Sequence, residues 1–391
     1  MPTKTATTVA CVHPELAGRE DAMIVKLPGL VREEWLLGAA MGASAIIIGF
    51  EPLLEDRLST PSGLALLFLW LFAVVLGACM SVVRHADHLA VRLGEPYGTI
   101  ILTLAVTIVE VMSISAMSVH GERNPALVRD TIFAVVMILL NGLIGLSLLL
   151  GGWRHREQGY NLQGANTYLG LIIPLTVLSL ILPNFTKTTP GPFLSSAQEI
   201  FVILISVGLY CAFLAMQTTR HRAYFTLGET PESADNAHGK ARHTARHALL
   251  LIAYMAPLVF LAEKLARPID ALLDALHAPA AFGGCIIALL VVAPEAVSAI
   301  RAAAANRLQR SLNIFMGSVL ATIGLTIPAM TGLSQVSGDK IILGLSDANA
   351  VVLVLTLAVS VVTFSSGRTN ILQGAVHLVL FGAYVLLLFQ G

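Results

Sequence analysis

The chain has 391 residues, 56% of them hydrophobic and 12% charged, against roughly 25% charged in soluble globular proteins, which excludes an ordinary soluble fold. Lys plus Arg and Asp plus Glu are equal at 24 each. A nucleic-acid surface would leave a basic excess, so the expected partner is the lipid bilayer rather than nucleic acid.

A membrane span needs about 20 mostly apolar residues. Eleven such runs occur, over 35–54, 63–83, 98–119, 128–151, 166–186, 198–217, 247–264, 279–301, 312–334, 348–365 and 370–389. Residues 1–34 are polar and mixed in charge, without the apolar stretch of a cleaved signal, so the first run reads as a retained helix. Cys11, Cys79, Cys211 and Cys285 have no short metal or redox spacing, and the last three, inside apolar runs, read as small buried hydrophobes. With eleven spans the loops alternate sides, and Lys and Arg divide 17 against 7 in favour of the side holding the N-terminus. The bias toward the cytoplasm predicts a multi-pass protein of the bacterial inner membrane with its N-terminus inside and its C-terminus outside. The longest polar connection, 218–246, holds His221, His238 and His243, with His247 just beyond. It reads as a solvated linker, or as a tract that senses pH or binds metal. It separates 35–217, with one span plus five, from 247–391, with five.

Ionisable residues inside a span cost about 2.5–3.5 kcal/mol at a helix centre on insertion scales, so each needs a reason. Glu110 lies near the middle of the third run and Glu295 in the eighth. Sliding one run onto the other by 185 residues superposes Glu110 on Glu295, Ser113 on Ser298 and Leu104 on Leu289. The third and eighth spans run in opposite directions under the charge rule, which is the arrangement of an inverted-repeat transporter with its site at the repeat interface. Two carboxylates would then meet near the midplane, where no Lys or Arg is available and His377 is the one intramembrane candidate partner. Separate pairing of each glutamate in a polar crevice is the alternative.

Pro294 has no amide hydrogen, so the carbonyl of Leu290 loses its helical partner. A freed carbonyl beside a carboxylate is a ligand for a hard cation, and a packing kink is the plainer account. The matching position in the first half is Val109, with Thr103 and Thr107 nearby. The two half-sites should differ chemically.

The stretch Gly94-Glu95-Pro96-Tyr97-Gly98-Thr99, leading into Leu102-Thr103-Leu104-Ala105-Val106-Thr107-Ile108-Val109-Glu110-Val111, resembles the first repeat of the calcium/cation antiporter superfamily. Ala293-Pro294-Glu295, Asn306 to Asn313 and Gly317-Ser318-Val319-Leu320-Ala321-Thr322-Ile323-Gly324-Leu325-Thr326-Ile327-Pro328 resemble the second. Within that superfamily the chain is most similar to the bacterial ChaA-type Ca²⁺(Na⁺,K⁺)/H⁺ antiporters of the cation/proton exchanger branch. The resemblance implies an all-α polytopic membrane protein of about eleven transmembrane helices in a 1+5+5 plan with two inverted five-helix repeats. It implies secondary exchange of Ca²⁺ for H⁺ by alternating access, or of Na⁺ or K⁺ for H⁺ through the same site, with no resident cofactor. By match, Glu110 and Glu295 become the residues binding metal cation and proton, and Gly317 and Ser318 line the site. Thr107 and Val292 stand where the wider family has asparagines, and Val319-Leu320-Ala321 where it often has Ser-Thr-Gln, which removes side-chain oxygens.

Ca²⁺ takes six to eight oxygens at about 2.3–2.6 Å. Thr103, Thr107, Ser298 and Ser318 hydroxyls, the Leu290 carbonyl and water would complete the shell. Asn141 and Thr322 are further candidates, with interhelical hydrogen bonding as their alternative. A passive cation channel would also carry acids along its pore. An intramembrane hydrolase would need His377 beside Ser44, Ser147 or Ser346, and no Gly-x-Ser-x-Gly surrounds them. No Walker A sequence is present. Arg84, His85, Asp87, His88 and Arg92 read as a charged loop or a gate, and Arg301, Arg307 and Arg310 as topology determinants.

Overall fold

A computed structural model describes the chain apart from residues 1–33, 59, 94–96, 121–123, 188, 190, 226–239, 339 and 391. The expectations for the N-terminal segment before Glu34, for Gly94-Glu95-Pro96 and for the middle of the His-rich linker lie outside the described residues. Among the described residues there are eleven helical segments: α1 (Trp35–Leu58), α2 (Pro61–Leu93), α3 (Tyr97–His120), α4 (Leu127–His155), α5 (Leu162–Phe185), α6 (Ser196–Arg220), α7 (Lys240–Leu276), α8 (Ala281–Ala304), α9 (Leu308–Ser337), α10 (Asp347–Thr363) and α11 (Ile371–Gln390). Eight are long and apolar enough to cross a membrane. The remaining three, α1, α3 and α10, carry the shorter apolar stretches Trp35–Phe50, Thr103–Ser118 and Asp347–Thr363.

The bounds differ from the apolar runs in an informative way. Helix α2 continues to Leu93 and α7 to Leu276, so Arg84, His85, Asp87 and His88 lie on a helix rather than in a loop. Hydropathy marks where a helix meets lipid, whereas the helix persists as long as its polar side chains find partners. Glu34 supplies them at this end: it accepts from Arg84 Nη2 at 2.9 Å and Tyr254 OH at 3.0 Å, and His85 Nε2 lies 3.2 Å away. His247 packs there too, 3.0 Å from His85 Nδ1 and stacked on His88. No group of three His, Cys, Asp or Glu side chains suited to a metal occurs among the described residues. Cys79 is buried, but Cys211 is exposed on α6, so the expectation of a buried hydrophobe fails there. With most of α6 facing outward, a thiol is as compatible with lipid as with a core.

Helices α2 and α7, the first of each five-helix repeat, pack on each other, and the second helix of each repeat packs on the third of the other, α8 on α4 and α3 on α9. The halves therefore interlock instead of sitting side by side. Leu104 and Leu289, superposed by the 185-residue offset, are 46% and 51% exposed and face outward together. Both third helices contain a π-helical turn, Ile138–Leu143 in α4 and Thr322–Thr326 in α9. Such turns frequently mark functional sites.

The connections also cross between halves. Strand β1 (Glu157–Gly159), after α4, pairs antiparallel with β2 (Arg368–Asn370), after α10, with Gln158 opposite Thr369. Both connections fall on the same face under the eleven-span alternation. Behind them α4 and α11 pack closely: a Cβ on Gly374 would lie 2.6 Å from Leu149 N and 2.8 Å from Gly145 O, so the absence of a side chain is what permits the contact.

Candidate functional site

A crevice of about 920 Å³ enters between α2, α3, α6, α8 and α9. Its mouth carries the exposed side chains of Arg84, Asp87, Arg301, Arg307 and Arg310, and its floor carries Glu110 and Glu295. The interlocked packing explains this geometry. Glu110 on α3 faces α9 because the two helices are in contact, and Glu295 on α8 faces the same stretch of α9.

Helix α9 presents a row of hydroxyls at Ser318, Thr322 and Thr326, each four residues apart and therefore on one helix face. Thr322 Oγ1 lies 3.1 Å from both oxygens of Glu110, and Thr326 Oγ1 donates to its Oε2 at 2.7 Å. Glu110 is 2% exposed, and these donors stand in for the water it has lost. Ser318 hydrogen-bonds Glu295, whose Oε2 is buried without a hydrogen-bond partner among the described residues. An unsatisfied carboxylate oxygen in such a place is costly, and a proton or a cation removes the cost.

Of the residues expected from sequence, Glu110, Glu295, Thr103, Thr107, Pro294, Ser298, Gly317, Ser318 and Thr322 line this one crevice. Leu290 lines a separate small apolar void with Ser113 and Met117. Asn141 is fully buried elsewhere: its Nδ2 donates to Thr356 at 2.8 Å and its Oδ1 lies 3.1 Å from His377 Nδ1. His377 reaches Thr363 with its other nitrogen, at 3.0 Å. Asn141 and His377 thus tie α4 to α10 and α11, and His377 partners neither glutamate nor any of the three serines considered for hydrolysis. Thr326 was not anticipated. Its signal was available, because the 185-residue offset carries Asn141 onto Thr326, and Thr326 completes a period-four row with Ser318 and Thr322.

The sodium/calcium exchanger protein family matches residues 63–219 and 246–390, which takes in every crevice-lining residue named above. The chain belongs to this family. It is 41% identical over 319 residues to the sodium-potassium/proton antiporter ChaA of Escherichia coli (strain K12), covering 81% of this chain and 86% of that protein. It is 42% identical over 328 residues to the putative ionic transporter y4hA of Sinorhizobium fredii (strain NBRC 101917 / NGR234), covering 84% and 89%. Among solved structures, native YfkE superposes with a TM-score of 0.70 at 19% identity, covering 91% of this chain and all of that one. The exchanger fold is therefore shared over nearly the whole length.

Proposed function

We propose that this protein is a cation/proton antiporter of the bacterial inner membrane in which Glu110 and Glu295 bind the cation and the protons in turn. The observation that supports this reading most directly is the pair of carboxylates at the floor of a wide crevice, one held by three hydroxyl contacts and the other with a free oxygen. In a low-dielectric site the charge on such a pair must be neutralised, by protons or by a cation. Both occupants compete for the same oxygens. Exchange follows if the doubly charged empty site does not reorient, because each crossing then carries one occupant or the other.

Of the cations, Na⁺ and K⁺ are favoured over the Ca²⁺ expected first from sequence. The relative 41% identical to this chain is a sodium-potassium/proton antiporter. The crevice itself offers two carboxylates and the hydroxyls of Thr103, Thr107, Ser298, Ser318 and Thr322, a set that can ligate either valence, so the relative carries the preference. Ca²⁺ remains the second reading, supported by the two carboxylates themselves. With the N-terminus inside, as the charge distribution implies, the crevice opens to the cytoplasm.

Everted vesicles carrying the full chain, acidified inside and challenged separately with Na⁺, K⁺ and Ca²⁺, test the proposal. Cation-dependent release of the proton gradient is expected, with Na⁺ or K⁺ effective below the concentration at which Ca²⁺ acts. A Ca²⁺ response alone would return the divalent reading. Cation flux that moves no protons would refute antiport and leave a channel.

A further inference from the structure

The mouth of the crevice has the wrong sign for its cargo. Arg301, Arg307 and Arg310 line it and are exposed, and among the described residues none makes an ion pair or a side-chain hydrogen bond. The fourth arginine there, Arg84, is paired with Glu34 at 2.9 Å, and among the described residues Asp87 is the one acidic side chain lining the mouth.

Local helix stability does not account for the three. Arg301 in the last turn of α8 is favourably placed, but Arg307 precedes α9 and Arg310 lies in its first turn, at the positive end of the helix, where a cation is unfavourable. Their positions are also fixed. The α8–α9 turn holds Asn306 at φ 60°, and its carbonyls are fastened from the β1 side by Gln158 Nε2 to Ala303 O at 2.8 Å and His155 Nε2 to Ala304 O at 3.1 Å. Three positive side chains, carried on an anchored turn and the helix ends beside it, thus stand where the cation enters.

We propose that Arg301, Arg307 and Arg310 form a valence filter that sets which cation class reaches the glutamates. The proposal rests on the reading of the crevice as the cation path. A positive potential at the mouth lowers the local concentration of an ion exponentially in its charge, so a divalent cation is depleted by the square of the factor that depletes a monovalent one. For three charges about a Debye length from the entering ion, the monovalent factor is about threefold and the divalent one about ninefold. The filter therefore favours Na⁺ and K⁺ over Ca²⁺ before any ligand is touched.

The test measures apparent KM for Na⁺ and for Ca²⁺ in everted vesicles carrying the full chain, for the wild type, the triple variant R301Q/R307Q/R310Q and the charge-preserving R301K/R307K/R310K. Where only one cation is transported, the inhibition constant of the other as competitor supplies the comparison. The glutamine triple should lower the Na⁺ value about threefold and the Ca²⁺ value about ninefold, with both shifts shrinking as choline chloride is added, while the lysine triple should stay at wild type. Equal shifts for the two valences, absence of a shift, or shifts indifferent to ionic strength would overturn the filter. If the glutamine triple does not insert correctly, Asp87→Asn reads the same potential with opposite sign: both values should rise, Ca²⁺ by the square of the Na⁺ factor. A wild type that exchanges no cation would instead refute the antiporter reading itself.

Discussion

Replacing Glu110 by glutamine separates its charge from its shape. The glutamate accepts from Thr322 at 3.1 Å through both oxygens and from Thr326 at 2.7 Å, in a setting 2% exposed. In Glu110→Gln one oxygen still accepts, while the new amide nitrogen faces hydroxyls that can rotate to accept from it. The folded state should therefore lose at most about 1 kcal/mol, the scale of one ordinary hydrogen bond. Exchange responds differently, because an amide can neither trade a proton for a cation nor balance a cation's charge. Loss of a charge-assisted partner contributes about 1.5–3 kcal/mol per contact, and several contacts to the cation vanish together, so the rate should fall at least about a hundredfold. The assay is proton release from acid-loaded everted vesicles, read beside the thermal midpoint and membrane abundance of the same protein. Exchange retained at more than a tenth of wild type with normal abundance would refute the shared-site reasoning.

Other perturbations probe the surroundings. Glu295→Gln should abolish exchange equally in the same vesicle assay, since its unsatisfied Oε2 is the open position for a cation. Thr326→Val, which deletes the 2.7 Å donor to Glu110, should reduce exchange efficiency at least about tenfold, with Thr326→Ser restoring it; an unchanged kcat/KM would show that Thr326 only packs. Gly374→Ala forces apart backbone atoms that a Cβ would approach to 2.6 Å and should destabilise the protein by about 1–3 kcal/mol, read as a lowered thermal midpoint in detergent. A double-mutant cycle of Asn141→Leu and Thr356→Val should give a coupling of about 0.6–1.7 kcal/mol from their 2.8 Å bond, with the cation KM unchanged.

Much of the site was legible because lipid penalises charge so strongly that Glu110 and Glu295 stand out from their runs without any structure. Neutral polar residues carry no such signal. Asn141 and Thr322 look alike in sequence, each a neutral polar side chain in the third helix of its repeat, yet one knits α4 to α10 and α11 while the other holds Glu110. Packing decides between them, and packing depends on which helix face meets the other half. Leu290 differs from Pro294 in the same way: Pro294 lines the crevice, and Leu290 lines a separate apolar void. Helix ends were misjudged where charged residues continue a helix past the apolar stretch, as at Arg84 and His85, because the partner that holds them, Glu34, lies about 50 residues away in the chain.

The hydroxyl row on α9 has no counterpart across the pseudo-symmetry. Moving Ser318, Thr322 and Thr326 back by 185 residues lands on Phe133, Met137 and Asn141 of α4, all buried and none lining the crevice. An inverted repeat built from two identical halves would present the same face to either compartment, and turning it over would change nothing. Here α3 contributes Thr103 and Thr107 to the crevice, but the hydroxyls that hold Glu110 come from α9 alone. The two halves therefore bring different side chains to the same floor, and exchanging one half for the other would not rebuild the same site.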